Sequence, residues 1–280
     1  MSKIKRRSGI AVVNICGLLD WRPDVIYQVG VGVNHGEIDH MWESWPGVRF
    51  IGCEAHPGIV KSIEKSYPGE LYEVAIGAER GKTKLYTKSR HKDGSSLYPH
   101  RNQHEHEGYH ELGDVLMSTL DSMFASPMWK KWHVQNLPKI LLWLDCEGSE
   151  LDALRGGAEF LKSVQVVNVE MTSNPPGVGW ADPIEVHQLL IASGFLRQSV
   201  HTNRSSSGQA DCVYVRRELF KPEYCCCPCQ ITTNRLDMII EFLESMRAVE
   251  SYPKNENVDW IINVAKYGIE QAHEMENQCP

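Results

Sequence analysis

The sequence predicts an α/β protein in which most strands form a parallel sheet. Short apolar runs alternate with segments of helical periodicity from residue 25 to about residue 217, which is the pattern of repeated strand–helix–strand units. The run at 140–144 is apolar throughout, as expected for a central strand that is covered on both faces. Several runs end directly at glycine or at an acidic residue, and ligands of open α/β sheets bind at such strand ends.

Composition excludes several other classes of protein. The 280 residues are 42% hydrophobic and 23% charged, which allows a buried core and is unlike collagen, coiled coils or disordered chains. The net charge of −7 offers no basic field to nucleic acid or anionic lipid. No apolar run approaches the roughly 18 residues of a spanning helix, so we expect neither nucleic acid nor a membrane as partner.

Cysteine usage indicates a reducing compartment, and we predict a cytoplasmic protein. The nine cysteines are an odd number, and several stand alone inside apolar segments, as buried thiols do. Cys226 and Cys229 have the spacing of half a zinc site. No second ligand pair lies nearby, so the zinc interpretation is the less favoured one.

Residues 1–24 are predicted to form an N-terminal helical segment. Basic residues precede the apolar stretch 10–19, as in a signal peptide. However, Asn14 interrupts the stretch and no small-x-small cleavage motif follows it. A first helix lying across the domain is therefore favoured over secretion.

The elements of residues 25–220 follow from local pattern. Apolar runs predict strands at 25–29, 48–53, 71–76, 83–87, 140–144, 164–169, 195–201 and 211–216. The helices between them have apolar residues at helical spacing: Ile38, Met41, Trp42 and Trp45, then Ile59, Val60, Ile63 and Tyr67, then Leu151, Leu154, Ala158 and Leu161.

Helix starts and turns add detail to this pattern. Ser149 and Asp152 predict a capping box. Asp182, Pro183 and Glu185 predict another helix start, with the cap, the first-turn proline and the acid all present. The turn-rich segment 203–208 predicts that the last two strands pair antiparallel.

Residues 88–114 are predicted to form a lid or substrate loop. The segment is polar, lacks periodicity and contains five histidines: His91, His100, His104, His106 and His110. Their spacing could gather them around a metal ion, but a polar loop lacks the rigid support that zinc ligands usually have. We therefore predict no metal.

Residues 221–280 are predicted to form a C-terminal helical extension. Two amphipathic helices are indicated by Leu236, Ile239, Ile240, Leu243 and Met246, and by Val258, Ile261, Ile262, Ala265 and Ile269. Such helices usually pack on their own domain. A homodimer interface or a substrate-docking surface is the alternative.

The strongest candidate site lies between the first strand and its helix. Residues 28–36 read Gln-Val-Gly-Val-Gly-Val-Asn-His-Gly, where glycines allow close approach of a ligand and the helix start offers free N–H groups. Glu54 closes the next strand and is suited to accept ribose hydroxyls. A nucleoside-containing ligand is therefore predicted. His35 at the sixth position of the dinucleotide fingerprint disfavours a nicotinamide dehydrogenase.

These motifs, with others downstream, resemble the FkbM-type methyltransferases, which use S-adenosylmethionine (SAM) on the class I methyltransferase fold. The matching segments are Gly30 to Gly36, Glu54-Ala55-His56-Pro57, Ala75-Ile76-Gly77 with Gly81, Ser95-Ser96-Leu97, Thr119-Leu120-Asp121-Ser122, Leu144-Asp145-Cys146-Glu147-Gly148-Ser149-Glu150-Leu151 and Val169-Glu170. They cover roughly residues 25–217. The chain departs from the family pattern at Gln28, where an acid is usual, and at Gly32, where asparagine is usual.

The resemblance implies a fold, a cofactor and a set of site residues. The fold is a Rossmann-like, mostly parallel seven-stranded sheet with helices on both faces, and the cofactor is SAM. Its methionine end would be held by Gln28, Gly30, Gly32 and Asn34, and Gly36 is a further implied cofactor contact. The implied remaining cofactor contacts are Glu54 at the ribose, Ala75 and Ile76 at the adenine, Asp145 near the sulfonium, and Ala55 and Ser96.

The implied reaction is methyl transfer to a hydroxyl of a sugar, polyketide or other natural product. Asp145, Glu147 and Glu170 are the predicted catalytic carboxylates, because a hydroxyl acceptor gains from a general base. Glu147 could instead only favour a helix N-terminus, and Glu150 is predicted to be structural. Two rival functions are N-methylation of a side-chain amide in a peptide and a non-catalytic SAM-binding scaffold. The scaffold is disfavoured because the chain has all four acidic residues of the implied site: Glu54, Asp145, Glu147 and Glu170.

Overall fold

The computed structural model of the chain describes residues 5–33, 36–88, 92–99, 109–126, 138–173, 175–202 and 208–220. Its helices are α1 (Lys5–Leu18), α2 (Gly36–Ser44), α3 (Pro57–Ile63), α4 (Leu120–Phe124), α5 (Glu150–Arg155), α6 (Ala158–Leu161) and α7 (Pro183–Ala192), with a 3-10 turn at Arg217–Leu219. Its strands are β1 (Val25–Val29), β2 (Arg49–Glu54), β3 (Glu70–Glu73), β4 (Ala75–Ile76), β5 (Gly81–Lys88), β6 (Tyr109–Ser118), β7 (Ile140–Leu144), β8 (Val164–Thr172), β9 (Phe195–Thr202) and β10 (Gln209–Arg216).

Seven strands form the main sheet in the order β3-β2-β1-β7-β8-β10-β9. All pairs from β3 through β8 are parallel, whereas β10 is antiparallel to both β8 and β9. This confirms the predicted fold class, and the antiparallel pairing of the last two strands is also confirmed. The strand order reverses between β1 and β7, so a crevice is expected at their carboxyl ends.

The two central strands are buried along their whole length, as the apolar runs predict. One face of β1, with Val25, Tyr27 and Val29, belongs to a core cluster that also contains residues of α5, α6 and α7. Ile26 of the same strand is fully buried outside that cluster, so both faces of the strand are covered. Burial of the backbone on both sides makes these strands a rigid base for the site at their ends.

The first two helices pack against each other. Val12 and Cys16 of α1 and Ile38 and Met41 of α2 are at most 1% exposed. Trp42, predicted on the same apolar face, is instead 47% exposed and stacks its ring on Phe50 of β2, with 5.7 Å between ring centroids. The apolar stripe of α2 is therefore narrower than its sequence spacing predicts.

The predicted third strand, 71–76, is split between two sheets. The backbone N–H of Val74 donates to the carbonyl of Glu54 at 3.0 Å, and the chain then leaves β2. The short strand β4 pairs with β6 in a separate three-stranded sheet of order β4-β6-β5. Strand β6 begins at Tyr109, so the end of the predicted lid, 109–114, is a strand rather than a loop.

One of the two predicted helix caps is confirmed, and the other prediction is wrong. Asp182 caps α7 by accepting from the N–H of Ile184 at 2.8 Å. Ser149 precedes α5, but its hydroxyl donates to the carbonyl of Cys146 and makes no cap. The predicted capping box is therefore absent, because the turn before the helix takes up the serine hydroxyl.

Arg216 at the end of β10 ties three segments together. Its guanidinium donates to the carbonyls of Val164 at 2.8 Å, Ser193 at 2.9 Å and Leu161. The same group lies 4.3 Å above the ring centroid of Phe195. Burial lowers the pKa of Arg216, although the side chain remains the cation that closes these carbonyls.

No helix among the described residues is both long enough and apolar enough to cross a membrane. The predicted extension at 221–280, the cysteine cluster at 225–229, and His91, His100, His104 and His106 lie outside the described residues.

Candidate active site

The site is built where β1 and β7 end, at the reversal of strand order. The Asp145 N–H donates to the carbonyl of Val29, and the Gly30 N–H to that of Cys53, both at 2.9 Å. Gly30 has a φ of +79°, and a side chain on it would collide with the carbonyl of Asp145. Only glycine therefore lets the first loop pass this close to the end of β7.

A cavity opens at this crevice. It is partly open to solvent and is lined by the first loop, by the ends of β2 and β7 and by β4. Of the residues predicted from sequence to form the site, those that line it are Gly30, Gly32, Glu54, Ala55, Ala75, Ile76, Asp145 and Glu147. The structure thus brings together residues from four separate strand ends.

Glu54 braces the glycine-rich loop. One carboxylate oxygen, Oε2, accepts from the N–H groups of Val31 at 3.0 Å and Gly32 at 3.1 Å, and Oε1 accepts from that of His56 at 2.8 Å. Burial raises the pKa of Glu54, and these backbone hydrogen bonds oppose the rise. Since a carboxylate has about four acceptor positions, Glu54 can still accept a ligand hydroxyl while it holds the loop.

Other predicted residues lie elsewhere. Gln28 is only 3% exposed and does not line the cavity; its Oε1 accepts from the Tyr67 hydroxyl at 3.3 Å. Ser96, 1% exposed, also lies behind the cavity wall. Gly36 begins α2, and Asn34 lies outside the described residues.

The segment 92–99 forms part of the cavity wall, and we call it the strap. Lys92, Asp93, Gly94, Ser95 and Leu97 line the cavity. None of them was predicted individually as a site residue. The signals available in the sequence were the polar, aperiodic composition of 88–114 and the Ser95-Ser96-Leu97 motif. These predict a loop near the site without identifying the side chains that face it.

Long-range hydrogen bonds hold the strap in place. Oδ1 of Asp93 accepts from the Val33 N–H at 2.7 Å. The Tyr98 hydroxyl donates to the Asp152 carboxylate. The strap is thus fixed at both ends, to the glycine-rich loop and to α5.

The turn between β7 and α5 is held in an unusual conformation. Glu147 has a φ of +51°, in the left-handed region that costs a non-glycine residue about 1–2 kcal/mol. Three contacts stabilise it: the Ser96 hydroxyl donates to the Glu147 carbonyl at 2.6 Å, the Glu150 carboxylate accepts from the Gly148 N–H at 3.1 Å, and Trp180 packs where a Gly148 side chain would be. Such strain at a cavity wall is typical of functional sites.

Three carboxylates converge beside this turn. Oxygens of Asp145, Glu147 and Glu170 all lie within 4.8 Å of one another. Glu170 does not line the cavity; it is 9% exposed and accepts from Nε2 of Gln209 at 3.2 Å. Burial, followed by the charges of Asp145 and Glu147, raises its pKa well above the usual range.

The cluster can act chemically in two ways. A buried carboxylate with a raised pKa is a better proton acceptor than a free one. Oxygens at this separation could also bind a divalent cation, so the prediction of no metal stays a prediction. Cys146, between two of the acids, has its pKa raised well above its usual value by burial and by Glu150, so its thiol is neutral and is not an activated nucleophile.

Comparison with known proteins identifies the family. The model of the FkbM methyltransferase domain matches residues 30–197, which is more than half of the chain. The chain belongs to this family of methyltransferases, and the predicted resemblance is confirmed. No curated protein sequence matches the chain.

Solved structures of similar fold have low sequence identity. One is a magnesium protoporphyrin IX methyltransferase from Synechocystis PCC 6803 with bound SAM, 11% identical over 75% of this chain and 76% of that one, with a TM-score of 0.41. Another is Aeropyrum pernix fibrillarin in complex with SAM, 12% identical over 76% of each chain, with a TM-score of 0.37. Similarities of this size do not bear on function, and family membership rests on the domain match.

Proposed function

We propose that the chain is a SAM-dependent methyltransferase acting on a hydroxyl group of a small, hydrogen-bond-donating acceptor such as a sugar, a polyketide or another natural product. The observation that carries this proposal is the carboxylate cluster Asp145, Glu147 and Glu170, of which Asp145 and Glu147 line the cavity. The glycine-rich loop and Glu54 line the same cavity.

The lining of the cavity supports SAM as the cofactor. The glycine-rich loop would hold the methionine end, Glu54 and Ala55 the ribose, and Ala75 with Ile76 the adenine. Glu54 retains an acceptor position for a ribose hydroxyl beside its three backbone hydrogen bonds. When bound, SAM supplies an electrophilic methyl group on a sulfonium.

The cluster would supply the proton acceptor. The acceptor oxygen forms its bond to the methyl carbon while the bond from that carbon to sulfur breaks, and the hydroxyl proton passes to a carboxylate. Asp145 or Glu147, which line the cavity, would receive it first, and Glu170 adjoins them as the strongest base of the cluster when ionised, because burial and their charges raise its pKa. Asp145 and Glu147, both partly exposed, would orient the hydroxyl and stabilise the nearby sulfonium.

The charge of the cluster restricts the class of acceptor. Three carboxylates in close proximity repel an anionic group and attract hydrogen-bond donors. Neutral polyols and other hydroxylated molecules are therefore favoured over carboxylate or phosphate acceptors. The hydroxyl groups of such molecules can donate hydrogen bonds to the carboxylate oxygens.

Methylation of a side-chain amide nitrogen in a peptide is the second candidate. An amide nitrogen is a poor nucleophile and needs a carboxylate close to its N–H, which the same cluster supplies. The acceptor contacts would then come from the surface around the cavity.

We further propose that residues 25–220 form the methyltransferase domain, and that residues 1–24 and 221–280 are an N-terminal helical segment and a C-terminal extension. Homodimerisation through that extension, action in the cytoplasm and a role in natural-product biosynthesis are parts of the same proposal. The odd number of cysteines and the buried thiols of Cys16, Cys53 and Cys212 support a reducing compartment.

Calorimetric titration with S-adenosylhomocysteine (SAH) tests the cofactor, with NAD as control ligand. Saturable binding of SAH alone is expected, and binding of NAD alone would reject the proposal. Transfer of labelled methyl from SAM is then measured on polyols, hydroxylated polyketides and asparagine-containing peptides. Label on a hydroxyl supports the first candidate, and label on a peptide amide supports the second. Glu54→Ala should weaken SAH binding while the fold remains intact.

A further inference from the structure

We propose that Asp93 of the strap binds the α-ammonium group at the methionine end of the cofactor. The inference rests on the proposed function, since it concerns the same cavity. It assigns a cofactor-binding role to a side chain outside the glycine-rich loop. The ligand chemistry is that of an aliphatic ammonium attached to an adenosine sulfide or sulfonium.

Of the residues predicted to hold this end of the cofactor, Gln28 does not line the cavity. Gln28 is buried beneath the loop, and its amide oxygen already accepts from the Tyr67 hydroxyl. The Tyr67 ring fills the space beside Gly52, where a Cβ would lie 2.8 Å from the ring carbon Cζ. Since Gln28 is also neutral, it offers no charge to a cationic group.

Asp93 lies on the cavity side of the loop. Its Oδ1 accepts from the Val33 N–H at 2.7 Å, and a Cβ on Gly32 would lie 3.3 Å from the same oxygen. The hydrogen bond fixes the carboxylate against the glycine-rich loop, where the methionine end is expected. A carboxylate held in this way loses little conformational entropy when it binds an ammonium group.

The other acidic residues of the cavity wall have different positions or partners. Glu54 accepts three backbone N–H groups, and Asp145 and Glu147 lie together with Glu170 in the carboxylate cluster. Asp93 is also close enough to Glu54 for its charge to raise the pKa of that residue. Asp93 is therefore a second negative charge next to Gly32, supplied by the strap, beside Glu54, whose Oε2 accepts the Gly32 N–H.

A purely structural role for Asp93 makes a different prediction. If the carboxylate only braces the loop, Asp93→Asn retains an oxygen for the Val33 N–H and should leave cofactor binding unchanged. If it binds the ammonium, the same substitution removes the charge and weakens every ligand with an amino-acid end. Ligands without that end should be unaffected.

The experiment compares SAH with 5′-methylthioadenosine, which has the same adenosine and sulfur but no amino-acid group. Calorimetry is carried out on the full-length wild type, Asp93→Asn and the control Asp20→Asn. Asp20 is exposed and in a left-handed conformation that asparagine tolerates. For Asp93→Asn we expect the Kd of SAH to rise about tenfold or more, and the Kd of 5′-methylthioadenosine to change less than about twofold. The control should match wild type.

Two results would overturn the inference: unchanged Kd values for both ligands, or an equal loss for both. A rise in KM for SAM with kcat retained would support it, because the ammonium contact is present equally before and during methyl transfer. If the wild type binds neither ligand, the proposed function itself fails and the inference fails with it. Failure of the proposed function is thus seen already in the wild type, whereas failure of the inference alone is seen only in the comparison of Asp93→Asn with wild type.

Discussion

The hydroxyl of Ser96 donates a 2.6 Å hydrogen bond to the backbone carbonyl of Glu147, a residue 51 positions later in the chain. The strap thereby fixes the conformation of the turn that presents a cavity carboxylate. Ser96 is itself held on both sides, because its N–H and carbonyl pair with the backbone of Tyr86 at 2.9 and 2.8 Å. Its place behind the cavity wall makes it a positioning residue for Glu147.

Ser96→Ala should lower kcat by about tenfold while the Kd of SAH changes less than about twofold, because the turn loses its anchor but the cofactor loses no direct contact. Steady-state kinetics and calorimetry give the two values. In a Glu147→Gln background the serine substitution should have little further effect, as expected for residues that act through each other. Ser62→Ala, which removes a 2.7 Å hydroxyl–carbonyl bond in α3, is the matched control. Additive effects of the two substitutions would contradict the coupling.

Glu147→Gly should make the protein more stable and inactive. Glycine adopts the left-handed conformation without the penalty of about 1–2 kcal/mol, and removal of a charge next to Asp145 and Glu170 relieves repulsion. We expect the free energy of unfolding to exceed that of Glu147→Ala by about 1 kcal/mol, measured by urea denaturation.

The exposed Asp20, with a φ of +49°, gives the control for this effect. The free energy of unfolding of Asp20→Gly should exceed that of Asp20→Ala by a similar amount, and both variants should retain methyl transfer. A Glu147→Gly variant as active as wild type would remove Glu147 from the catalytic cluster.

Arg216→Leu should destabilise the domain without changing cofactor affinity. The substitution leaves the carbonyls of Val164, Ser193 and Leu161 without this donor, and unpaired buried carbonyls cost about 1–3 kcal/mol. We expect a loss of about 2 kcal/mol in urea denaturation and an unchanged Kd for SAH. Arg217→Leu, at an exposed neighbouring position, should lose far less. Equal losses at both positions would show that the carbonyl contacts contribute nothing.

Much of the sheet could be predicted from sequence because its signals are local. The bounds of β1 and β7 match the apolar runs, which end at glycine and at an acid. The cap at Asp182 was predicted for the same reason, since both partners are two residues apart. Trp42 was placed wrongly, because helical spacing defines a direction but not the width of the face that the sheet covers.

The candidate site was predictable only where it lies at strand ends. Gly30, Glu54 and Asp145 line the cavity because parallel strands end at a common edge. The role of Ser96, the position of Asp93 and the left-handed φ of Glu147 depend on contacts between segments far apart in sequence. No periodicity or short motif encodes such contacts, so they become visible only in the folded chain.

The carboxylate cluster is predicted to work without a metal ion. Treatment with EDTA followed by desalting should leave methyl transfer within about twofold of the untreated enzyme, because a carboxylate of the cluster rather than a cation would promote loss of the proton. Loss of activity, with recovery on addition of Mg²⁺ or Mn²⁺, would assign Asp145, Glu147 and Glu170 to a cation instead. In that case Glu170→Gln should weaken the response to added metal, as expected for loss of one oxygen ligand.

Glu150 should make stability depend on pH in the neutral range. Burial raises its pKa from 4.5 to about 7, against the hydrogen bonds from the N–H groups of Cys146 and Gly148. An acid with a raised folded-state pKa contributes its full stability below the unfolded pKa and loses it as pH rises through the folded pKa. Glu150→Gln keeps an acceptor oxygen. The difference between its free energy of unfolding and that of wild type should therefore rise by about 3 kcal/mol from pH 5 to pH 8. Urea denaturation at both pH values measures this difference. Glu43→Gln, at an exposed position, is the control. A difference between Glu150→Gln and wild type that does not vary with pH would contradict the prediction.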